Sequence, residues 1–166
     1  MNNDNKFKIR KKHNILFVCL GNICRSPAAE EVMRKMANDR GITDFLQTDS
    51  AGVGGWHVGE LPDSRMRRHA AERGYILKSK ARQLSSDDFG KFDYIVVMDD
   101  ENYKSVSSLA RNNEERGKIL KMKDYFAKYK ECDNVPDPYY GGAEDFELAL
   151  DLIEDGCSGL IEHILG

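Results

Sequence analysis

Long apolar segments are missing from this sequence of 166 residues. No stretch approaches the roughly 20 apolar residues that a helix needs to cross a bilayer, so no membrane association is expected. The apolar run at residues 15–20 is also too short for the core of a cleaved signal peptide. We therefore predict a cytoplasmic protein, and export by a route that needs no cleavable signal stays open.

A general excess of positive charge is absent as well. Lys and Arg number 25 against 28 Asp and Glu, which gives a net charge of −3 and a pI near 5.8. Proteins that bind nucleic acid usually carry a basic footprint, so no nucleic-acid partner is expected. Residues 1–12 are locally basic and are interpreted as a solvated extension. A single domain is predicted to follow over residues 13–166.

Cysteine is scarce, and its spacing is irregular. The four cysteines are Cys19, Cys24, Cys132 and Cys157. They are too few for a disulfide scaffold, and no paired Cys or His ligands indicate a zinc site. We expect reduced thiols, no metal and no other cofactor. A special role for any cysteine must therefore come from its neighbours in the sequence.

Repeats and Gly/Ser linkers are also lacking, so the length indicates one domain. Apolar runs typical of buried strands occur at residues 15–19, 45–51, 94–98 and 119–122. Helical patterns occur at residues 26–41, with Ser26 as the expected N-cap, and at residues 64–73, 99–111 and 146–164, with Cys157 in the core. The alternation predicts a Rossmann-like α/β domain in which helices cover both faces of a central four-stranded parallel sheet.

The loop after the first strand has the composition of an anion site. It reads Cys-Leu-Gly-Asn-Ile-Cys-Arg-Ser-Pro over residues 19–27 and leads directly into a helix. Gly21 and Asn22 tolerate left-handed backbone angles, so successive N–H groups can turn inward as a nest. The helix N-terminus adds partial positive charge, which favours phosphate. The Gly-Lys-Ser/Thr ending of a nucleotide-binding loop is absent.

Cys19 and Arg25 give this loop a possible reaction. The amide dipoles and the guanidinium that bind a phosphate also favour the thiolate form of Cys19. The planar fork of Arg25 can hold two equatorial oxygens of a phosphoryl group. The loop therefore indicates attack by a thiolate on a phosphate ester.

Residues 18–27 resemble the signature loop of the low-molecular-weight protein tyrosine phosphatases in nearly every position. The resemblance extends over residues 14–165. Further segments in the family's order are Asp49-Ser50-Ala51-Gly52, Trp56, Lys80-Ala81-Arg82-Gln83, Phe92-Asp93-Tyr94-Ile95, Met98-Asp99 and Asp137-Pro138-Tyr139-Tyr140. The resemblance implies that phosphotyrosine and aryl phosphates are hydrolysed through a phosphocysteine intermediate without metal, with phosphotyrosine-containing proteins or peptides as partners.

The resemblance also implies roles for individual residues. Cys19 is the expected nucleophile, and Arg25 is the expected phosphate ligand and stabiliser of the transition state. Asp137 is the expected general acid, whose carboxylate then activates water. Ser26 is similar to a hydroxyl of the family that hydrogen-bonds the thiolate.

The walls of the cleft are expected to determine substrate choice, because a nest of amides binds the phosphate and does not distinguish the side chain that carries it. Trp56, Tyr139 and Tyr140 match the aromatic residues that flank a deep slot in the family. Asn22 is expected to hold the strained loop backbone, with Ser50 as its partner. The complete predicted substrate-binding set is Leu20, Gly21, Asn22, Ile23, Cys24, Ser26, Trp56, Tyr139 and Tyr140.

Two local questions stay open. Where many relatives have a histidine, this chain has Arg73, and the nearest histidine is His69, so the support behind Asn22 is not defined by the pattern. Cys24 either forms a reversible disulfide with Cys19, as in relatives that have this pair, or packs beneath the loop.

Three alternative functions are also considered. Protein-arginine phosphatases and arsenate reductases use the same scaffold. Ile23 favours phosphotyrosine, since relatives that prefer phosphoarginine tend to have threonine there, and residues 85–90 lack the cysteines of the reductases. A non-catalytic phosphate-binding module is the other alternative, against which the intact Cys19, Arg25 and Asp137 argue. The sequence does not indicate the physiological substrate, and we expect a monomer or a weak dimer.

Overall fold

The computed structural model describes residues 11–166. Residues 1–10 of the predicted basic extension lie outside the described residues. Lys11 and Lys12 are exposed and precede the first strand. None of the helices described over residues 11–166 has the length and apolar character needed to cross a membrane.

The described chain alternates strands with helices. The strands are His13–Cys19 (β1), Leu46–Gly52 (β2), Tyr94–Val97 (β3) and Ile119–Lys121 (β4). The helices are Arg25–Asp39 (α1), Ser64–Glu72 (α2), Asp88–Lys91 (α3), Asp100–Leu109 (α4), Asn113–Arg116 (α5) and Ala143–Leu165 (α6), and a 3₁₀ turn covers Met122–Tyr125. Each predicted strand and long helix is present, with shifts of a few residues at the ends.

The four strands form one parallel sheet in the order β2-β1-β3-β4. The chain crosses from β1 to β2 on one side and then returns to place β3 on the other side of β1. The carboxyl ends of β1 and β3 therefore flank a switch point, where open α/β sheets bind ligands. Cys19 is the last residue of β1 and pairs with Gly52 at the end of β2. The predicted sheet is confirmed, and the loop that was predicted to carry the site begins at this switch point.

Strand β1 separates two apolar layers. Its side chains alternate, so that Ile15 and Phe17 pack in the layer that contains α1 and α6, whereas Leu16 and Val18 pack against α3 and α4. Cys157 of α6 is fully buried in the first layer. Helices therefore cover both faces of the sheet, as predicted, and both layers fix the end of β1 in place.

The start of α1 differs from the prediction. The helix begins at Arg25, and its N-cap position is Cys24, which makes no capping hydrogen bond through its side chain. The prediction that Ser26 caps α1 was wrong, because the hydroxyl of Ser26 is used inside the loop by Cys19 and Asn22. The predicted end is confirmed, since α1 stops at Asp39 and Gly41 follows with a left-handed φ of 68°.

Candidate active site

The loop at residues 19–24 is held open by bonds to its carbonyl groups. The carbonyls of Cys19, Leu20 and Ile23 accept hydrogen bonds of 2.9, 2.9 and 2.8 Å from the amides of Val53, Gly54 and Asp63, respectively. These bonds fix the carbonyls on the outside of the loop. That is the arrangement which a nest of inward-facing N–H groups requires.

Asn22 sustains the turn of this loop. Its φ is 58°, and it is the only residue other than glycine with a positive φ within residues 11–166. The amide nitrogen of its side chain donates to Ser26 Oγ at 2.7 Å, and its side-chain oxygen accepts from the amide of Arg82 at 3.0 Å. The predicted role of Asn22 in holding a strained backbone is consistent with this geometry.

Ser50 was wrongly predicted as the partner of Asn22. Its hydroxyl donates instead to Glu30 Oε1 at 2.6 Å. Glu30 is buried and also accepts from Ser79 at 2.5 Å and from Arg34 at 3.1 Å. Ser50 thus belongs to a buried polar network beneath β2.

The open question about Arg73 also has an answer. Arg73 lies at the end of α2 and pairs with Glu147, Asp151 and Glu154 of α6. His69 binds Glu147 as well. Both side chains therefore join α2 to α6 and do not support Asn22.

Cys19 lies at the inner end of the pocket and is almost fully buried. Its Sγ is 3.0 Å from Ser26 Oγ. The side-chain amide of Asn22 donates to the same oxygen, so Ser26 keeps its own proton to donate, and the sulfur is a nearer acceptor than the carbonyl of Ala51 at 3.4 Å. A hydroxyl that donates to a sulfur anion stabilises it.

Arg25 is 2% exposed and is surrounded by acceptors. Its Nη1 donates to Asp99 Oδ2 at 2.6 Å and to the carbonyl of Val135 at 3.0 Å, and its Nη2 is 3.7 Å from Asp137 Oδ2. Burial lowers the pKa of this guanidinium, but the charge of Cys19, the hydrogen bond with Asp99 and the charge of Asp137 outweigh burial and raise the pKa. The cation is thus retained in a buried position.

Asp99 was matched in the sequence but not assigned to the predicted site. It follows β3 and is the N-cap of α4, where its Oδ1 accepts from the amide of Asn102 at 2.8 Å. Its other oxygen holds Arg25. An acidic residue at the carboxyl end of a central strand was the signal that could have identified it.

Asp137 lies at the mouth of the same pocket, with 36% of its side chain exposed. Its Oδ1 accepts from the amide of Tyr139 at 3.1 Å, across Pro138. Its Oδ2 is the oxygen nearer to Arg25. A proton on this carboxyl group can therefore reach an atom bound between Cys19 and the pocket mouth.

The pocket has a volume of about 320 Å³. It is lined by Cys19, Leu20, Gly21, Ile23, Cys24, Arg25, Trp56, His57, Asp137, Tyr139 and Tyr140. Asn22 and Ser26 were predicted to bind substrate, but both are buried and neither lines the pocket. His57 was not predicted. It forms a 2.6 Å contact with Glu60, and its position next to Trp56 was the only signal for it.

Aromatic side chains form the outer wall. Trp56 and Tyr140 are 70% and 94% exposed, and Tyr139 meets Tyr140 edge to face at 4.9 Å. A Cβ added at Gly54 would lie 2.0 Å from the indole ring of Trp56. The ring can take this place only because residue 54 is glycine.

Cys24 is a buried thiol in the same loop. All four cysteines lie within the described residues and are free. Burial raises the pKa of Cys24 well above its ordinary value, and the nearby charges of Asp63 and Cys19 add to the shift. Cys24 therefore stays protonated and does not compete with Cys19 as a nucleophile.

Within residues 11–166, one group of side chains has the spacing of a metal site. It consists of His69, Glu72 and Glu147, whose ligand atoms lie within 4.8 Å of one another. Glu147 is already paired with His69 and Arg73. The group acts as a link between α2 and α6 and lies outside the pocket.

Comparisons with known proteins match nearly the whole chain to one family of phosphatases. The sequence profile of the family described as "Low molecular weight phosphotyrosine protein phosphatase" matches residues 14–165. The low molecular weight protein-tyrosine-phosphatase YfkJ of Bacillus subtilis is 41% identical over 152 residues, which cover 91% of this chain and 95% of that protein. The crystal structure of a protein tyrosine phosphatase from Entamoeba histolytica, with Hepes in its active site, has a TM-score of 0.88 at 44% identity and covers 91% of this chain and 96% of that one. The structure of a Drosophila arginine phosphatase has a TM-score of 0.83 at 32% identity, with 90% and 96% covered.

Proposed function

Given that this chain belongs to the low molecular weight phosphotyrosine protein phosphatase family and is a cysteine-dependent protein-tyrosine phosphatase, we propose that Cys19, Arg25 and Asp137 are its catalytic residues. The observation that carries the assignment is their convergence in one pocket at the carboxyl end of β1. The hydroxyl of Ser26 contacts the sulfur of Cys19, and the carboxylate of Asp99 accepts a hydrogen bond from Arg25.

In the first step, the phosphate dianion of phosphotyrosine enters the nest. Nη1 of Arg25 is held by Asp99 and Val135, so Nη2 is positioned for the equatorial phosphate oxygens. An electron pair of the Cys19 thiolate forms the S–P bond while the P–O bond to the tyrosine oxygen breaks. Asp137 gives its proton to that oxygen, and neutral tyrosine leaves.

In the second step, water attacks the phosphocysteine. The carboxylate of Asp137 takes a proton from the water as the new P–O bond forms, and the S–P bond breaks with its electron pair returning to Cys19. The hydroxyl of Ser26, 3.0 Å from this sulfur, stabilises the departing thiolate. Inorganic phosphate is released, and the enzyme returns to its starting state.

The pocket walls support phosphotyrosine as the substrate. The wall residues Trp56, Tyr139 and Tyr140 present aromatic surface to a flat phenol ring. Cys19 is buried at the inner end, so a phosphate on a short aliphatic side chain cannot reach the sulfur without the peptide backbone entering the pocket. Phosphotyrosine-containing proteins or peptides are therefore the proposed substrates.

Arginine phosphatase activity is the second candidate, because the structure of the Drosophila arginine phosphatase shares the fold at a TM-score of 0.83. Ile23 argues against it, since this apolar side chain lines the pocket and offers no hydrogen-bond partner to the polar guanidinium of phosphoarginine. Preference between the two substrates is thus expected to favour phosphotyrosine.

The test compares phosphotyrosine, phosphoserine and phosphoarginine peptides with purified protein in the absence of added metal. We expect hydrolysis of the phosphotyrosine peptide, abolished in Cys19→Ser and retained in the control Cys132→Ser, whose thiol lies outside the pocket. Faster hydrolysis of phosphoarginine would assign the second function. Unchanged turnover in Cys19→Ser would overturn the proposal.

We also propose that the catalytic domain covers residues 13–166, that it acts in the cytoplasm and that it is a monomer or weak dimer. The domain bounds are supported by β1, which begins at His13, and by α6, which ends at Leu165. Sedimentation of the purified protein at several concentrations tests the oligomeric state. A stable larger assembly would contradict it.

A further inference from the structure

The backbone around Asp137 is anchored on both sides by an arginine. On one side, the carbonyl of Val135 accepts from Arg25 at 3.0 Å. On the other side, the carbonyl of Tyr139 accepts from Nη2 of Arg65 at 2.9 Å. Asp137 lies midway, two residues from each anchor, on a segment without helix or strand. The contacts at these two points therefore decide where its carboxyl group lies.

Arg65 is itself held by several contacts. Its Nε and Nη2 donate to the two oxygens of Asp63 at 3.2 and 3.0 Å. Its guanidinium also lies over the rings of Tyr139 and Phe146, at 5.5 and 4.8 Å from their centroids. A planar fork of this kind meets a carboxylate, a carbonyl and an aromatic face at once, which an ammonium cannot do.

Asp63 continues the connection to the phosphate-binding loop. Its backbone amide donates to the carbonyl of Ile23 at 2.8 Å, and its carboxylate caps α2 by accepting from the amides of Arg65 and Met66. Burial raises the pKa of this carboxyl group, but the hydrogen bonds from Arg65 and from the amides of Met66 and Arg65 outweigh it and lower the pKa. The carboxylate is thus ionised and fixed at neutral pH.

We propose that Arg65, held by Asp63, is a positioning residue that sets Asp137 at a fixed distance from the phosphate-binding loop. The inference rests on the proposed role of Asp137 as the general acid. The connection runs from Ile23 through Asp63 and Arg65 to Tyr139, whose amide binds Asp137 Oδ1 at 3.1 Å. Without Arg65, the segment keeps the anchor at Val135 and the 3.7 Å contact between Asp137 and Arg25 Nη2, but it loses the bond that fixes the carbonyl of Tyr139.

Proton delivery matters most when the leaving group is a strong base, so a displaced acid has a characteristic signature. The value of kcat/KM, which reports the step in which the phenol leaves, is measured with 2,4-dinitrophenyl, p-nitrophenyl and phenyl phosphate. Arg65→Gln is expected to lower kcat/KM for phenyl phosphate by about 10- to 100-fold, the cost of a displacement near 1 Å. The value for 2,4-dinitrophenyl phosphate should change by less than about threefold, because this phenolate leaves without a proton.

Three further variants make the test specific. Arg68→Gln removes an exposed arginine of the same helix and should leave kcat/KM unchanged for all three substrates. Arg65→Lys keeps the positive charge but not the planar fork. It should therefore lower kcat/KM less than Arg65→Gln does, again most for phenyl phosphate and least for 2,4-dinitrophenyl phosphate. This variant also decides the question if Arg65→Gln fails to fold in a thermal unfolding control. Asp137→Ala is measured in parallel and should show the steepest dependence on the leaving group.

The outcomes separate the two ideas. If Asp137→Ala shows no dependence on the leaving group, the proposed acid is wrong. If Asp137→Ala shows this dependence, but the Arg65 variants lower kcat/KM equally for all three substrates or for none of them, Arg65 does not position the acid.

Discussion

Replacement of Asp99 tests how the buried guanidinium is oriented. One oxygen of Asp99 accepts from Arg25 at 2.6 Å, and the other caps α4 by accepting from Asn102 at 2.8 Å. Asparagine has a single acceptor oxygen, so Asp99→Asn can keep only one of these bonds. Asp99→Ala keeps neither.

The magnitudes follow from these two bonds. A hydrogen bond to a charged group contributes about 1.5–3 kcal/mol, and an N-cap contributes about 1 kcal/mol. We expect Asp99→Asn to lower the free energy of unfolding by about 2 kcal/mol, and Asp99→Ala by about 1 kcal/mol more. Because the carbonyl of Val135 then holds Nη1 of Arg25 without the help of Asp99, the guanidinium is less well oriented towards the phosphate, and kcat/KM for a phosphotyrosine peptide should fall by about 10- to 100-fold in both variants.

Urea unfolding and steady-state kinetics measure these quantities. The control is Asp100→Asn, which removes an exposed carboxylate that is next in the chain and pairs with Lys121. The reasoning is refuted if Asp99→Asn keeps the kcat/KM of the wild type and Asp99→Ala loses only the contribution of the cap. Asp99 would then serve α4 and not Arg25.

Three more variants test separate contacts. Ser26→Ala removes the donor to the departing sulfur, so kcat should fall by about tenfold or more while a burst of phenol appears in stopped-flow traces; an unchanged kcat would exclude this role. Gly54→Ala pushes a Cβ into the ring of Trp56, so KM for a phosphotyrosine peptide should rise with little change in kcat, and an unchanged KM would show that the ring does not bind substrate. The hydrogen bonds from the side chain and amide of Arg111 lower the pKa of Glu115 from 4.5 to about 2. A carboxylate with a lowered pKa stabilises the folded state when the pH is above the pKa that it has in the unfolded chain. This stabilisation is lost as the pH falls from about 4.5 to about 2. Over this pH window the free energy of unfolding should therefore fall less steeply in Glu115→Gln than in the wild type, and equal slopes would contradict the assignment.

The parts of the fold that depend on local patterns were predictable from the sequence. Strand β3 is a run of buried β-branched residues, and α6 repeats apolar residues at helical spacing, so each pattern alone defines its element. Helices α3 and α5 have four residues each, too few for any periodicity to appear, and they were not predicted.

The site was predictable where one contiguous motif contains it. The loop from Cys19 to Arg25 carries its own turn residues, nucleophile and cation, so its role follows from adjacent positions. The long-range supports could not be predicted, because they come from distant parts of the chain: the side-chain oxygen of Asn22 accepts from the amide of Arg82, 60 positions away. The contact of Ser26 with the sulfur was implied by the family resemblance, whereas local chemistry alone favoured a helix cap.

The anchoring of Asp137 illustrates the same limit. Arg65 reads in the sequence as one of several surface charges on α2, and only the fold brings it to the carbonyl of Tyr139, 74 positions away. Charge alone does not distinguish it from Arg68, which is exposed on the same helix. Side-chain geometry in three dimensions is what separates a positioning residue from a solvated one.

The central claim is that the phosphoryl group passes through a covalent bond to Cys19. The direct measurement mixes the enzyme with an aryl phosphate, quenches in acid within milliseconds and locates the modified residue by mass spectrometry of the digested protein. We predict one phosphoryl group on the peptide that contains Cys19, with its bond at Sγ, and none in Cys19→Ser. Turnover with no phosphate on this sulfur at any quench time, or with phosphate on another residue, would contradict the account.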